Sequence, residues 1–166
     1  MASVHEPSWD TDTSDWRRAR LGDQLGSQHI GMSLYELAPG QQMVFHYHLG
    51  NEEVLIALRG RPTLRTWVGE QELEEGEVVV FPRGELGAHG FANRSEEVVR
   101  VLLLSERNEP SVSVYPDTNE IGVFDAARPV DRRFGGRFKL RDAVSGYGGG
   151  EPWVRRPTGS SPDRAE

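Results

Sequence analysis

The chain has 166 residues, a formal net charge of −7 and no cysteine. That length suits one domain with a proper core, and the acidic balance argues against nucleic-acid binding, which shows as a basic patch. The lack of cysteine excludes disulfides and thiolate ligands. No apolar run approaches the ~20 residues of a membrane span, and the N-terminus has no basic start followed by an apolar stretch. A cytoplasmic protein is expected.

Residues 1–26 are polar, with Trp9 and Trp16 as the large anchors, and read as an N-terminal arm. Within it Asp15 to Leu21 is expected to form one short helical turn or to be part of the arm. Ile30–Leu37 reads as a strand ended by Pro39-Gly40. Met43–His48 is the next strand, and Glu53–Leu58 follows, ended by Gly60 and Pro62. Thr63–Val68 and Gln71–Leu73 flank Gly69-Glu70, a hairpin-like turn. Val78–Phe81 is a short buried strand ended by Pro82. His89–Ala92 and Glu97–Leu104 complete the series. Short strands at regular spacing with Gly or Pro between them predict an all-β barrel or jelly roll. After Ser105 the pattern stops, apart from an extended piece at Val112–Tyr115. Gly146–Gly150 and the tail after Pro152 read as flexible. The predicted organisation is an arm (1–26), a barrel (27–108) and an irregular extension (109–166) packed on the barrel or on a partner.

One constellation stands out. His46 and His48 are two residues apart, which puts both imidazoles on one face of a strand. Glu53 follows, and His89 lies downstream of Pro82 and Gly84. Two imidazoles and a carboxylate converging with a third imidazole make a first-row transition-metal site. Glu52 competes with Glu53, but Glu53 shares parity with the apolar Leu55 and Ala57, so Glu52 points to the other face.

The spacing resembles that of the cupin superfamily. The first cupin motif is Gly, five residues, His, one, His, three or four, Glu, six, Gly; it is matched by Gly40, His46, His48, Glu53 and Gly60. The second is Gly, five residues, Pro, one, Gly, two, His, three, Asn; it is matched by Gly76, Pro82, Gly84, His89 and Asn93, with four residues instead of two between Gly84 and His89. The resemblance spans about Ser27 to Ser105. It implies a double-stranded β-helix, a jelly-roll cupin barrel. It also implies one divalent transition metal (Fe, Ni, Mn or Zn) held by His46, His48, Glu53 and His89.

Three histidines with one carboxylate favour redox-capable metals, so a dioxygenase acting on a small organic molecule is the first expectation. In it Glu53 would leave the metal to take a proton. An isomerase or epimerase using the metal as Lewis acid is second. A non-catalytic barrel that binds a metal and a small ligand is the alternative. Gln42 and Val44 share the side of His46 and His48, and Tyr35, Arg65, Trp67 and Phe91 are further cavity candidates. Arg65 either clamps an anion or faces solvent. Trp67 belongs to the core or to a dimer contact. Glu85 is either a carboxylate behind the metal or solvated, and Asn93 ends a strand. Val54, Ile56 and Leu58 face away from the ligands, and a homodimer is expected through part of that apolar surface.

Overall fold

The computed structural model describes residues 1–13 and 16–140. The expected glycine run at 146–150 and the tail after Pro152 lie outside the described residues. The strands are β1 (Thr11–Asp12), β2 (Trp16–Ala19), β3 (Ile30–Leu37), β4 (Tyr47–His48), β5 (Glu53–Arg59), β6 (Thr63–Thr66) and β7 (Gly69–Glu72), followed by β8 (Val78–Phe81), β9 (Gly90–Ala92), β10 (Val99–Glu106), β11 (Ser111–Tyr115), β12 (Glu120–Phe124) and β13 (Gly135–Lys139). One helical turn, α1 (Leu21–Gln24), follows β2.

Two walls face each other. The first is a six-stranded antiparallel sheet in the order β1-β2-β3-β10-β5-β8. The second joins a three-stranded sheet, β7-β6-β9, to a four-stranded one, β13-β12-β11-β4. The seam between these two is the irregular stretch 42–46, tied to 89–92 by bridges Gln42–Ala92 and His46–His89. Only Tyr47 and His48 of the expected Met43–His48 strand are regular, because the seam turns the chain from one small sheet to the other.

Period-two alternation decides what each wall buries. In β5, Glu53, Leu55 and Ala57 face in, and they meet Ser105, Leu103 and Val101 of β10 in register. Leu37, Leu55, Leu64, Leu73, Phe81, Phe91, Val99 and Val101 fill the space between the walls. The outer face of the first wall is covered in part by the N-terminal arm. There Leu34 is fully buried with Ala19 and Leu21, against Val4, Trp9, Leu58 and Leu102. Arg100 clasps the arm by pairing with Glu36 and donating to the Val4 carbonyl. A buried leucine of this kind contributes about 1.5–3 kcal/mol.

Three expectations change. Where an irregular extension was expected, residues 111–139 form three strands, and β11 pairs with β4 (Ser113 with His48, Val114 with Tyr47). The arm is a strand, β2, added to β3 (Trp16 to Leu37), with its helical turn only afterwards. The β6–β7 turn falls at Trp67-Val68, with Gly69 and Glu70 already paired to Thr66 and Arg65. In addition, β8 is an edge strand with Val78 and Val80 more than half exposed; it is apolar on both faces but buried on one.

Candidate metal centre

Four side chains converge between the walls. Glu53 comes from the first wall, at the start of β5; His46 and His48 come from the seam and β4; His89 precedes β9. Each Nε2 faces one oxygen, Glu53 Oε2, at 3.9 Å for His46, 3.3 Å for His48 and 3.3 Å for His89. His46, His48 and Glu53 form a trio whose ligand atoms lie within 4.8 Å of one another. His89 joins through Glu53, and its ring lies 4.9 Å from that of His46.

Each imidazole is steadied from behind. His46 Nδ1 donates to the Val44 carbonyl (3.1 Å) and His89 Nδ1 to the Gly87 carbonyl (2.9 Å). His48 Nδ1 is hydrogen-bonded to Ser113 Oγ at 2.9 Å. The His89 ring, 1% exposed, stacks on Phe81 with centroids 3.7 Å apart, and His46 stacks on Tyr115 at 5.9 Å. With Nδ1 acting as donor, the lone pair of Nε2 points to the centre.

The electrostatics match metal-ready ligands. Burial and the neighbouring His48 push the His46 pKa down to about 4, so its imidazole is neutral near pH 7. Burial alone would raise the Glu53 pKa, but protons on the His48 and His89 imidazoles beside it would outweigh that and hold it well below the usual carboxylate range, and a cation at the same focus replaces those protons. Glu53 Oε2 and His89 Nε2 are buried without a hydrogen-bond partner among the described residues. A lone pair and a carboxylate oxygen facing each other across a dry gap are both acceptors, and buried acceptors left unpaired cost ~1–3 kcal/mol each. A cation at their focus satisfies both. This donor set suits a divalent transition ion.

The enlarged loop before His89 does not displace it. Gly84, at φ 81°, starts a 3-10 turn over Glu85–Gly87 that takes up the added residues. A Cβ on Gly87 would lie 1.8 Å from the Pro82 carbonyl oxygen, so only glycine lets the turn close. The returning chain then exchanges two backbone hydrogen bonds between His46 and His89, both 2.9 Å.

The remaining candidates sort clearly. Glu52 is exposed and Glu53 buried. Arg65 makes a two-pronged pair with Asp117 (2.6 and 2.8 Å) and lies 4.2 Å over the Phe45 ring. Trp67 donates from Nε1 to the Glu85 carbonyl, and the Glu85 carboxylate is exposed. Asn93, fully buried, bonds the Leu37 and Glu97 carbonyls and ends its strand. Gln42 lies away from the centre, whereas Tyr35, Val44 and Phe91 line the cavity beside it. Sequence reasoning missed Ser113, the Phe81 stack and Gly87. The common parity of Ser111, Ser113 and Tyr115 in the extended piece was the available signal for the first.

A cavity of about 410 Å³ opens from His46, His48 and Glu53. Its lining is mixed, with Ser33, Tyr35, Asn51, Ser105 and Ser111 set among Met43, Val44, Phe91 and Leu103.

Residues 33–105 match the family model described as the cupin domain. The chain carries a cupin domain. No curated protein matches the chain. Among solved structures, this cupin barrel resembles a sugar phosphate isomerase of the cupin superfamily from Silicibacter pomeroyi, at 21% identity over 86% of this chain and 94% of that one, TM-score 0.74. It also resembles a candidate sugar phosphate isomerase from Acidithiobacillus ferrooxidans, at 24% identity over 77% and 78% of the two chains, TM-score 0.67. The polyketide cyclase RemF from Streptomyces resistomycificus is similar at 20% identity over 64% and 78%, TM-score 0.54. At these identities the likeness is one of fold. Among the described residues, no helix is long and apolar enough to cross a membrane.

Proposed function

We propose that the chain is a mononuclear metal-dependent enzyme that moves a proton within a small, polar, oxygen-rich substrate, an isomerase or epimerase. The observation that carries this reading is the unpaired Glu53 Oε2, facing the unpaired His89 Nε2, on the wall of a cavity that carries several hydroxyls. His46, His48, Glu53 and His89 would hold the ion. Bound there, a divalent ion supplies Lewis-acid polarisation of a substrate carbonyl or hydroxyl. Serine and tyrosine hydroxyls around the cavity orient the substrate's own hydroxyls. Of the three carboxylates that line the cavity, Asp23 pairs with Arg107 and Glu106 with Arg83. Glu53 is the one left to hold and return the proton, so it is the catalytic carboxylate in this reading.

The hydroxyls and amide in the mixed lining support placing the isomerase or epimerase ahead of the dioxygenase. A dioxygenase for an aromatic substrate calls for an apolar pocket, whereas serine, asparagine and tyrosine suit a polyhydroxy compound. The similarity to sugar phosphate isomerases over most of the chain supports the same order. The three-histidine, one-carboxylate set keeps the dioxygenase as the second reading, because it also suits Fe or Ni.

Two measurements test the proposal. Elemental analysis of the untagged protein should find about one Fe, Mn, Ni or Zn per chain, lost in His46→Ala/His48→Ala. Incubation with aldoses and ketoses in D₂O should place deuterium on carbon. Oxygen uptake without deuterium incorporation would move the assignment to the dioxygenase. Metal and ligand binding without turnover would leave a binding barrel.

We also propose a homodimer. Val54, Ile56, Val78 and Val80 form adjacent pairs on the outer face of β5 and β8, outside the part covered by the arm. Sedimentation should show a dimer; a monomer at micromolar concentration would refute it.

A further inference from the structure

The cavity holds more positive charge than its carboxylates neutralise. Arg18, Arg20, Arg107 and Arg132 all line it. Arg107 is committed, since it pairs with Asp23 and donates to the Ser27 carbonyl. Of the other cavity carboxylates, Glu106 pairs with Arg83, and Glu53 is turned to the three histidines of the metal centre. Arg18, Arg20 and Arg132 therefore have no carboxylate partner among the described residues.

Register aims Arg18 into the cavity. It lies opposite Tyr35 in β3, and Tyr35 lies opposite the inward-facing Val101 in β10. Its neighbour Arg17 points the other way, to Asp12 and Glu36. The Arg18 Nε is buried and unpartnered among the described residues. Arg132 is held flat, 3.9 Å over the Phe124 ring, by donating from Nε and one Nη to the Ala126 and Ala127 carbonyls. Its second terminal nitrogen stays free to donate. Burial lowers the Arg132 pKa, and the nearby charge of Arg20 adds to this against the opposing influence of Tyr115 and Asp125. Half-buried guanidiniums drawn from β2, from the residue after it and from the segment before β13 share one cavity, and none of them forms a salt bridge with a carboxylate among the described residues. Desolvated like charges are costly unless a counter-charge joins them.

We propose that Arg18, Arg20 and Arg132 seat the phosphate group of a phosphate-monoester substrate whose oxygens at the other end reach Glu53 and the histidines. This rests on the enzyme reading above and names its substrate class. Phosphate fits better than carboxylate. One arginine already saturates a carboxylate in a two-pronged pair, whereas a phosphate dianion offers three terminal oxygens to several forks.

The test is calorimetric binding of glycerol 3-phosphate to metal-loaded protein, with glycerol as the neutral control. The ester should bind at least about tenfold more tightly than glycerol, and Arg20→Gln and Arg132→Gln should each weaken it about tenfold or more, since a charge-assisted hydrogen bond contributes ~1.5–3 kcal/mol. Metal content and melting temperature should not change. Where Arg20→Gln fails to fold, Arg20→Lys keeps the charge, loses the fork and should still bind the ester more weakly. Equal affinity of ester and glycerol, or arginine variants that bind like the parent, would overturn the seat. Inorganic phosphate separates this from the enzyme reading. If metal is absent but phosphate still binds through the arginines, the seat stands and the metal centre falls. If metal is stoichiometric and phosphate does not bind, the reverse holds.

Discussion

The two ends of the cavity are built on different terms. At the metal end every reacting group comes from the barrel motif, and each imidazole is steadied by a carbonyl, a hydroxyl or a stacked ring. Elsewhere on the cavity wall, Arg18, Arg20 and Arg132 come from segments outside the motif, and their charges stand without carboxylate partners among the described residues. The contrast separates two tasks. The barrel supplies a reaction centre that tolerates little movement. The terminal segments supply recognition, where a different side chain changes the substrate and leaves the chemistry intact.

The largest way to break that contrast is to remove charge at the metal end. Glu53→Gln keeps the shape but should lower metal affinity more than about 100-fold, beyond what changes behind the ligands produce, as read by chelator competition. Next is the loop that carries His89. Gly87→Ala places a methyl against the Pro82 carbonyl and should cost about 3 kcal/mol, with a lower melting temperature and weaker metal binding together.

Acid should act at the same end. The His46 pKa is about 4 when folded against 6.5 ordinarily, so between these values the unfolded chain holds the extra proton. Metal-free protein should therefore lose up to about 3 kcal/mol as pH falls through that window. Depression of the Glu53 pKa acts with the same sign at lower pH. Denaturant melts at pH 7 and pH 4.5 check this; a flat profile would mean His46 is charged in the fold. Ser113→Ala should weaken metal binding about 10–100-fold through loss of the His48 hydrogen bond while barely moving stability. The smallest effect belongs to Arg65→Met. Its pair with Asp117 is nearly half exposed on both sides, and exposed pairs contribute under ~1 kcal/mol.

Legibility in the sequence followed the range of the interactions. His46, His48 and Glu53 sit within one short stretch, and the distance to Gly60 together with period-two parity separated Glu53 from Glu52. His89 was found by spacing, although its loop is longer than the motif allows, because the Gly84–Gly87 turn absorbs the added residues locally. The β4–β11 pairing was not legible. Tyr47-His48 gives too short a strand to announce a partner, and nothing local to Ser113 points to an imidazole 65 residues earlier. Arg65 was ambiguous for the same reason, since its fate depends on Asp117, 52 residues away. The inward aim of Arg18 required the register of β2 on β3, which Trp16-Arg-Arg-Ala does not announce.

The Ser113–His48 contact also sets an order of events in the making of the protein. All four ligands leave the ribosome before Ser111–Tyr115 does, and during that interval His48 lacks the hydroxyl that fixes its ring. Maturation of the centre is thus postponed until the later strands have been synthesised and have closed on the seam.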